Sequence, residues 1–195
     1  MNTTIKPVED NMDKYYTYKT LIEKYQRSYE EGFYFESLFL VYAMMEDRLR
    51  SILYHSNVIT KRESEKPNVL ETKELMEKIF FSETTHNKEK HEFDFKSIAE
   101  KREMIEALIK WSAKEESTNQ LEEDLKIQYQ DTEKYLPVLE AMKDWCSYRN
   151  KLIHAIFDKN IESINLEIKE KVSIGFEIAK EISTLAKKIS DRSSL

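Results

Sequence analysis

The chain has 195 residues with only 2 glycines, 3 prolines and 1 cysteine, and a formal net charge of −6. That length supports one sizeable core, and so few turn-forming residues exclude a sheet fold with many turns. The acidity excludes a protein that coats nucleic acid through overall positive charge, and the lone cysteine excludes an internal disulfide or a cysteine-built zinc cage.

Met1–Asp10 has no apolar signal-like core. No stretch approaches the roughly 18 apolar residues of a membrane span, so a soluble protein of the reducing cytoplasm is expected. The first helix is predicted over 13–31, where Tyr15, Tyr18, Leu21, Ile22, Tyr25 and Tyr29 recur at three- and four-residue spacing before Gly32. A stronger helix runs over 33–54. Phe35, Leu38, Phe39, Tyr42, Met45, Leu49, Ile52 and Leu53 form its stripe, and Tyr34, Val41 and Met44 make its first half apolar nearly all round, as in the centre of a bundle.

Residues 56–68 read as a loop, followed by a short helix through Leu70, Leu75, Met76, Ile79 and Phe80. The chain is polar from Ser82 to Phe95. Another helix follows through Ile98, Ile105, Leu108 and Ile109, and a second polar stretch covers Lys114–Glu123. Pro137 suits the first turn of a helix running through Leu139, Met142, Trp145, Cys146, Leu152, Ile153, Ile156 and Phe157. The last helix spans about 161–189 on Ile164, Ile168, Val172, Gly175, Ile178, Ile182, Leu185 and Ile189. The expectation is an all-α, up-and-down helical bundle forming a single domain over 1–195, with 56–130 as a helical and loop insertion.

Two charged residues fall on core stripes when the helices are projected at about 100° per residue. Glu46 lies along Phe39, Tyr42 and Leu49, and Arg149 lies along Met142, Cys146 and Ile153. Burying a lone charge costs several kcal/mol, so the two are expected to point inward and meet. A plain internal salt bridge satisfies that requirement equally well. Next to Arg149 stand Asn150 and His154, four residues apart and therefore on one helix face. A guanidinium can hold a phosphate, and an imidazole titrating near neutrality can take a proton from a ribose 2′-hydroxyl or return one to the leaving oxygen. Lys143, Lys151 and Lys159 make this neighbourhood mildly basic.

The run Arg149-Asn150-x-x-x-His154, late in an all-helical chain and followed by one long helix, resembles the HEPN superfamily and its Arg-x4-6-His motif. The resemblance covers those six residues and a helical layout in which the central helix packs on the motif helix. It implies a metal-independent endoribonuclease, of the kind found among toxins, abortive-infection proteins and CRISPR-associated nucleases. Two protomers of such proteins pair their motifs into one composite site. On that likeness Arg149 and His154 are the catalytic pair, Asn150 is the polar residue after the arginine, and Glu46 supports Arg149. The implied partners are RNA, a second copy of the chain and an antitoxin or regulatory protein, with no cofactor, no metal and no membrane. The 56–130 segment departs from the compact family pattern.

The alternatives are a non-catalytic HEPN-like module that binds a nucleotide, an RNA or a protein, and a purely structural helical protein. Arg50 and His55 repeat the motif spacing, as do Arg48 and His55. They lack the asparagine, fall early in the chain, and His55 reads as a helix C-terminal residue. His86 and His91 sit in a polar stretch without the i, i+4 pairing of a helical zinc motif. Cys146 reads as a buried thiol.

Overall fold

Helix boundaries follow local chemistry closely. The computed structural model describes residues 11–59, 70–85, 95–114, 117–155 and 160–193. Helix α1 (Asn11–Glu30) ends at Gly32, which takes a φ of 82°. The Gly32 and Phe33 amides donate to the Tyr29 and Ser28 carbonyls at 3.2 and 2.7 Å, a glycine C-cap that satisfies the helix's last acceptors. Helix α2 (Tyr34–His55) returns alongside α1. After α3 (Leu70–Glu83), helix α4 (Ile98–Ser112) opens on a reciprocal cap. The Ser97 hydroxyl accepts from the Glu100 amide at 3.1 Å, and the Glu100 carboxylate accepts from the Ser97 amide at 2.7 Å.

Helix α5 (Gln120–Tyr129) begins inside the second polar stretch, 114–123. Asn119 caps it through the Glu122 amide at 3.0 Å, and its buried Leu125 and Tyr129 are too few to show as a stripe. A 3-10 turn (Glu133–Tyr135) leads into α6 (Leu136–Ala155). Pro137 stands in the first turn of α6, where its missing N–H costs no hydrogen bond. Helix α7 (Ile161–Arg192) completes an all-helical bundle with no strand among the described residues.

The buried apolar side chains form one continuous cluster with members from all seven helices. Helix α2 packs most extensively on α7, then on α1 and α4. The motif helix α6 packs more broadly on α7 and α4 than on the central helix α2, which it meets through Arg149 and the Tyr42 and Phe39 rings, and α7 lies against both. No described helix is long and apolar enough to cross a membrane.

Contacts at two places fix this layering. At the far end, the buried Tyr129 hydroxyl meets Ser56 Oγ at 2.6 Å, and Arg192 donates to the Ile127, Gln128 and Gln130 carbonyls at 3.3, 3.2 and 2.6 Å. The end of α7 thereby satisfies the open C-terminus of α5. Nearer the motif, α6 and α7 approach so closely that a Cβ on Gly175 would lie 2.5 Å from the Trp145 indole, whose Nε1 donates to the Lys171 carbonyl at 2.7 Å. Alanine is favoured over glycine in a helix by about 1 kcal/mol, yet overpacking costs about 1–3 kcal/mol. Gly175→Ala is therefore expected to lower stability, read as an earlier midpoint in urea unfolding. An unchanged or later midpoint contradicts that packing.

Candidate functional site

Arg149 occupies the last third of α6, on the side turned toward α2. Its guanidinium carbon lies 4.3 Å from the Tyr42 ring centroid and 5.1 Å from that of Phe39. Tyr42 and Phe39 are three residues apart on α2, so both rings flank one position. Arg149 NH1 donates to Asn150 Oδ1 at 3.0 Å, while its Nε is buried and makes no hydrogen bond.

Glu46 does not pair with Arg149. Its carboxylate accepts from Lys101 Nζ at 3.2 Å, an ammonium that is 0 % exposed and also donates to the Lys96 carbonyl at 3.2 Å. A buried ammonium has the greater need of a counter-charge, because its charge is compact and strongly hydrated in water. Guanidinium, more weakly hydrated, tolerates two aromatic faces in place of a carboxylate. Among the described residues no carboxylate pairs with Arg149.

His154 stands in the last turn of α6 and is exposed, as is Asn150. Within one helix, Arg149 and His154 differ by about 140° in direction and about 7.5 Å along the axis, whereas Asn150 and His154 lie within about 40°. The fold thus brings Arg149 and Asn150 into contact and sets His154 on the Asn150 side. No hydrogen bond joins His154 to either among the described residues.

Cys146 lies one turn before Asn150, and burial raises its thiol to about 11, with Arg102 and Arg149 opposing and Glu46 adding to the rise. Burial also raises the Tyr42 phenol, reinforced by Glu46 and Cys146 and opposed by Arg149. Cys146 is accordingly no nucleophile at neutral pH. A shift of about two units leaves about a hundredth of the usual thiolate, so alkylation by iodoacetamide at pH 8 is expected to be about a hundredfold slower than for a free thiol. Labelling at the rate of free cysteine contradicts this environment.

The rejected pairs fall elsewhere. Arg50 is exposed, and His55 ends α2 with its Nδ1 3.3 Å from Ser193 Oγ. Arg48 is half-buried with its guanidinium 4.0 Å from the Tyr18 centroid. His86, His91, Ile156, Phe157 and Lys159 lie outside the described residues.

Sequence reading missed Lys101 as the partner of Glu46, and it missed the aromatic seat of Arg149. The first left a signal. Lys101 shares the spacing of Ile98, Ile105 and Leu108, so a lysine sits on the stripe of α4 just as Glu46 does on that of α2. The second did not, because Phe39 and Tyr42 match core positions equally well. No family model matches the chain, and no curated protein or solved structure matches it.

Proposed function

We propose that the chain is a metal-independent endoribonuclease of the HEPN type, working in the cytoplasm as a homodimer whose two motifs share one composite site. The observation that carries this reading is the state of Arg149: a cation seated on two rings, with one buried N–H unsatisfied and no carboxylate partner among the described residues. Such a group attracts an anion, and a phosphodiester is the anion that an adjacent imidazole can act on.

In the proposed reaction Arg149 neutralises the non-bridging phosphate oxygens, and Asn150 holds the guanidinium in register. One His154 takes the proton of the ribose 2′-hydroxyl, whose oxygen attacks phosphorus. The bond from phosphorus to the 5′-oxygen breaks, and the second His154 of the pair protonates that oxygen. The products are a 2′,3′-cyclic phosphate and a 5′-hydroxyl. The angle between Arg149 and His154 on one helix favours a site assembled from two copies. A toxin or phage-defence role, restrained by an antitoxin or regulatory protein, follows from the resemblance.

The stacking of Arg149 on Tyr42 and Phe39 favours a second reading, in which the arginine is architectural and the chain is a non-catalytic module that binds a nucleotide, an RNA or a protein. Purified chain incubated with RNA in excess EDTA separates the two. The nuclease reading expects fragments. RNA that is bound and stays intact supports the module and overturns the nuclease.

A further inference from the structure

The two rings that seat Arg149 also line an open groove of about 680 Å³ between the second half of α1 and the first half of α2. Its floor is apolar, built on Phe39, Leu40 and Ala43, with Phe39 41 % exposed. An aromatic ring left this open beside further apolar surface marks an unpartnered contact face.

The charges around the groove point to the occupant. Arg27 is committed to Glu31 at 3.0 Å and Glu46 to Lys101 at 3.2 Å. That leaves Lys24 on α1 and Glu36 on α2, both exposed and neither held in an ion pair among the described residues. Glu36 stands about 6 Å from the Gly32 turn and Lys24 about 12 Å from it, counted at 1.5 Å per residue along their helices. One free cation and one free anion on opposite walls make this face complementary to itself. A two-fold axis lying in the contact plane and crossing midway between them sets Lys24 of each copy against Glu36 of the other, and it lays the apolar floor on its twin. Three carboxylates around the groove repel a phosphate chain, which counts against RNA as its occupant.

We infer that a second copy of this chain occupies the α1/α2 groove, packing hairpin against hairpin, with reciprocal Lys24 and Glu36 pairs fixing its register. The inference rests on the proposed nuclease reading for the role of the contact, since Arg149 touches the same two rings. Its position rests on the groove alone. Rim charges of this kind govern register more than raw affinity.

Sedimentation of the full chain tests it with variants whose folding is checked by circular dichroism. The wild type is expected to dimerise at micromolar concentration, and Phe39→Asp to sediment as a monomer. Lys24→Glu and Glu36→Lys, each at an exposed position, place like charges at both reciprocal contacts and are expected to weaken self-association about tenfold. An equimolar mixture of those two variants restores both opposite-charge pairs in the mixed dimer and is expected to recover wild-type affinity. A wild type that stays monomeric, a Phe39→Asp variant that still dimerises, or a mixture no tighter than its components overturns the inference. A wild type that dimerises and cleaves RNA while ignoring all of these substitutions overturns the groove pairing and leaves the nuclease reading standing. A charge-dependent dimer that leaves RNA intact supports the groove and removes the nuclease.

Discussion

His154→Ala is expected to reduce RNA cleavage by about 10²–10⁴-fold, the usual contribution of a positioned acid-base group, while the melting temperature barely moves. The side chain is exposed at the end of α6, and surface substitutions away from packed features stay within about 0.5 kcal/mol. Arg149→Ala is expected to lose about 10²–10³-fold, the cost of removing a charge-stabilising donor, with a modest loss of stability because the Tyr42 and Phe39 rings lose their cation. Arg149→Lys does not rescue, since an ammonium lacks the planar fork that both stacks and grips a phosphate. Cleavage rates on one RNA, measured beside thermal melts of the same preparations, separate chemistry from folding. A variant of His154 that melts normally and cleaves at the wild-type rate removes that residue from the mechanism.

The second large effect concerns the ion pair beneath the site. Lys101 is fully buried and Glu46 is 38 % exposed, so the two ends of this bond are unequal. Glu46→Ala leaves a buried ammonium with a weaker set of acceptors, the Lys96 carbonyl among them, and is expected to cost about 2–3 kcal/mol, below the 3–5 kcal/mol of a fully buried pair. Lys101→Met replaces the charge with an apolar chain of similar length and releases Glu46 toward solvent. That change is expected to stay within about 1 kcal/mol of wild type or to stabilise. Urea unfolding of both variants checks the asymmetry. Equal losses, or a larger loss for Lys101→Met, contradict it.

How much of this was legible beforehand depended on the length of each signal. Helices α1, α2, α4 and α7 repeat their apolar spacing over several turns, and the Gly32 stop and Pro137 start mark ends with single residues whose backbone chemistry allows little else. Helix α5 has 10 residues and owes its place to the Asn119 cap and to contacts with distant partners such as Ser56, which no local window contains. The site divided in the same way. Arg149, Asn150 and His154 stand out because their spacing is local. The neighbours of Arg149 come from α2, and the exposure of Phe39 depends on the groove left open between α1 and α2. The choice of Lys101 over Arg149 by Glu46 is decided by which cation is more deeply desolvated, a property of the packed bundle.

The most direct test of the central claim is the chemistry of the RNA ends. Full-length chain, RNA and excess EDTA are incubated together, and the 3′ termini of the fragments are analysed by mass spectrometry. A 2′,3′-cyclic phosphate paired with a 5′-hydroxyl, absent with Arg149→Ala and with His154→Ala, is the predicted result. Fragments ending in a 3′-hydroxyl, or fragments that persist in both variants, contradict the assignment of cleavage to Arg149 and His154.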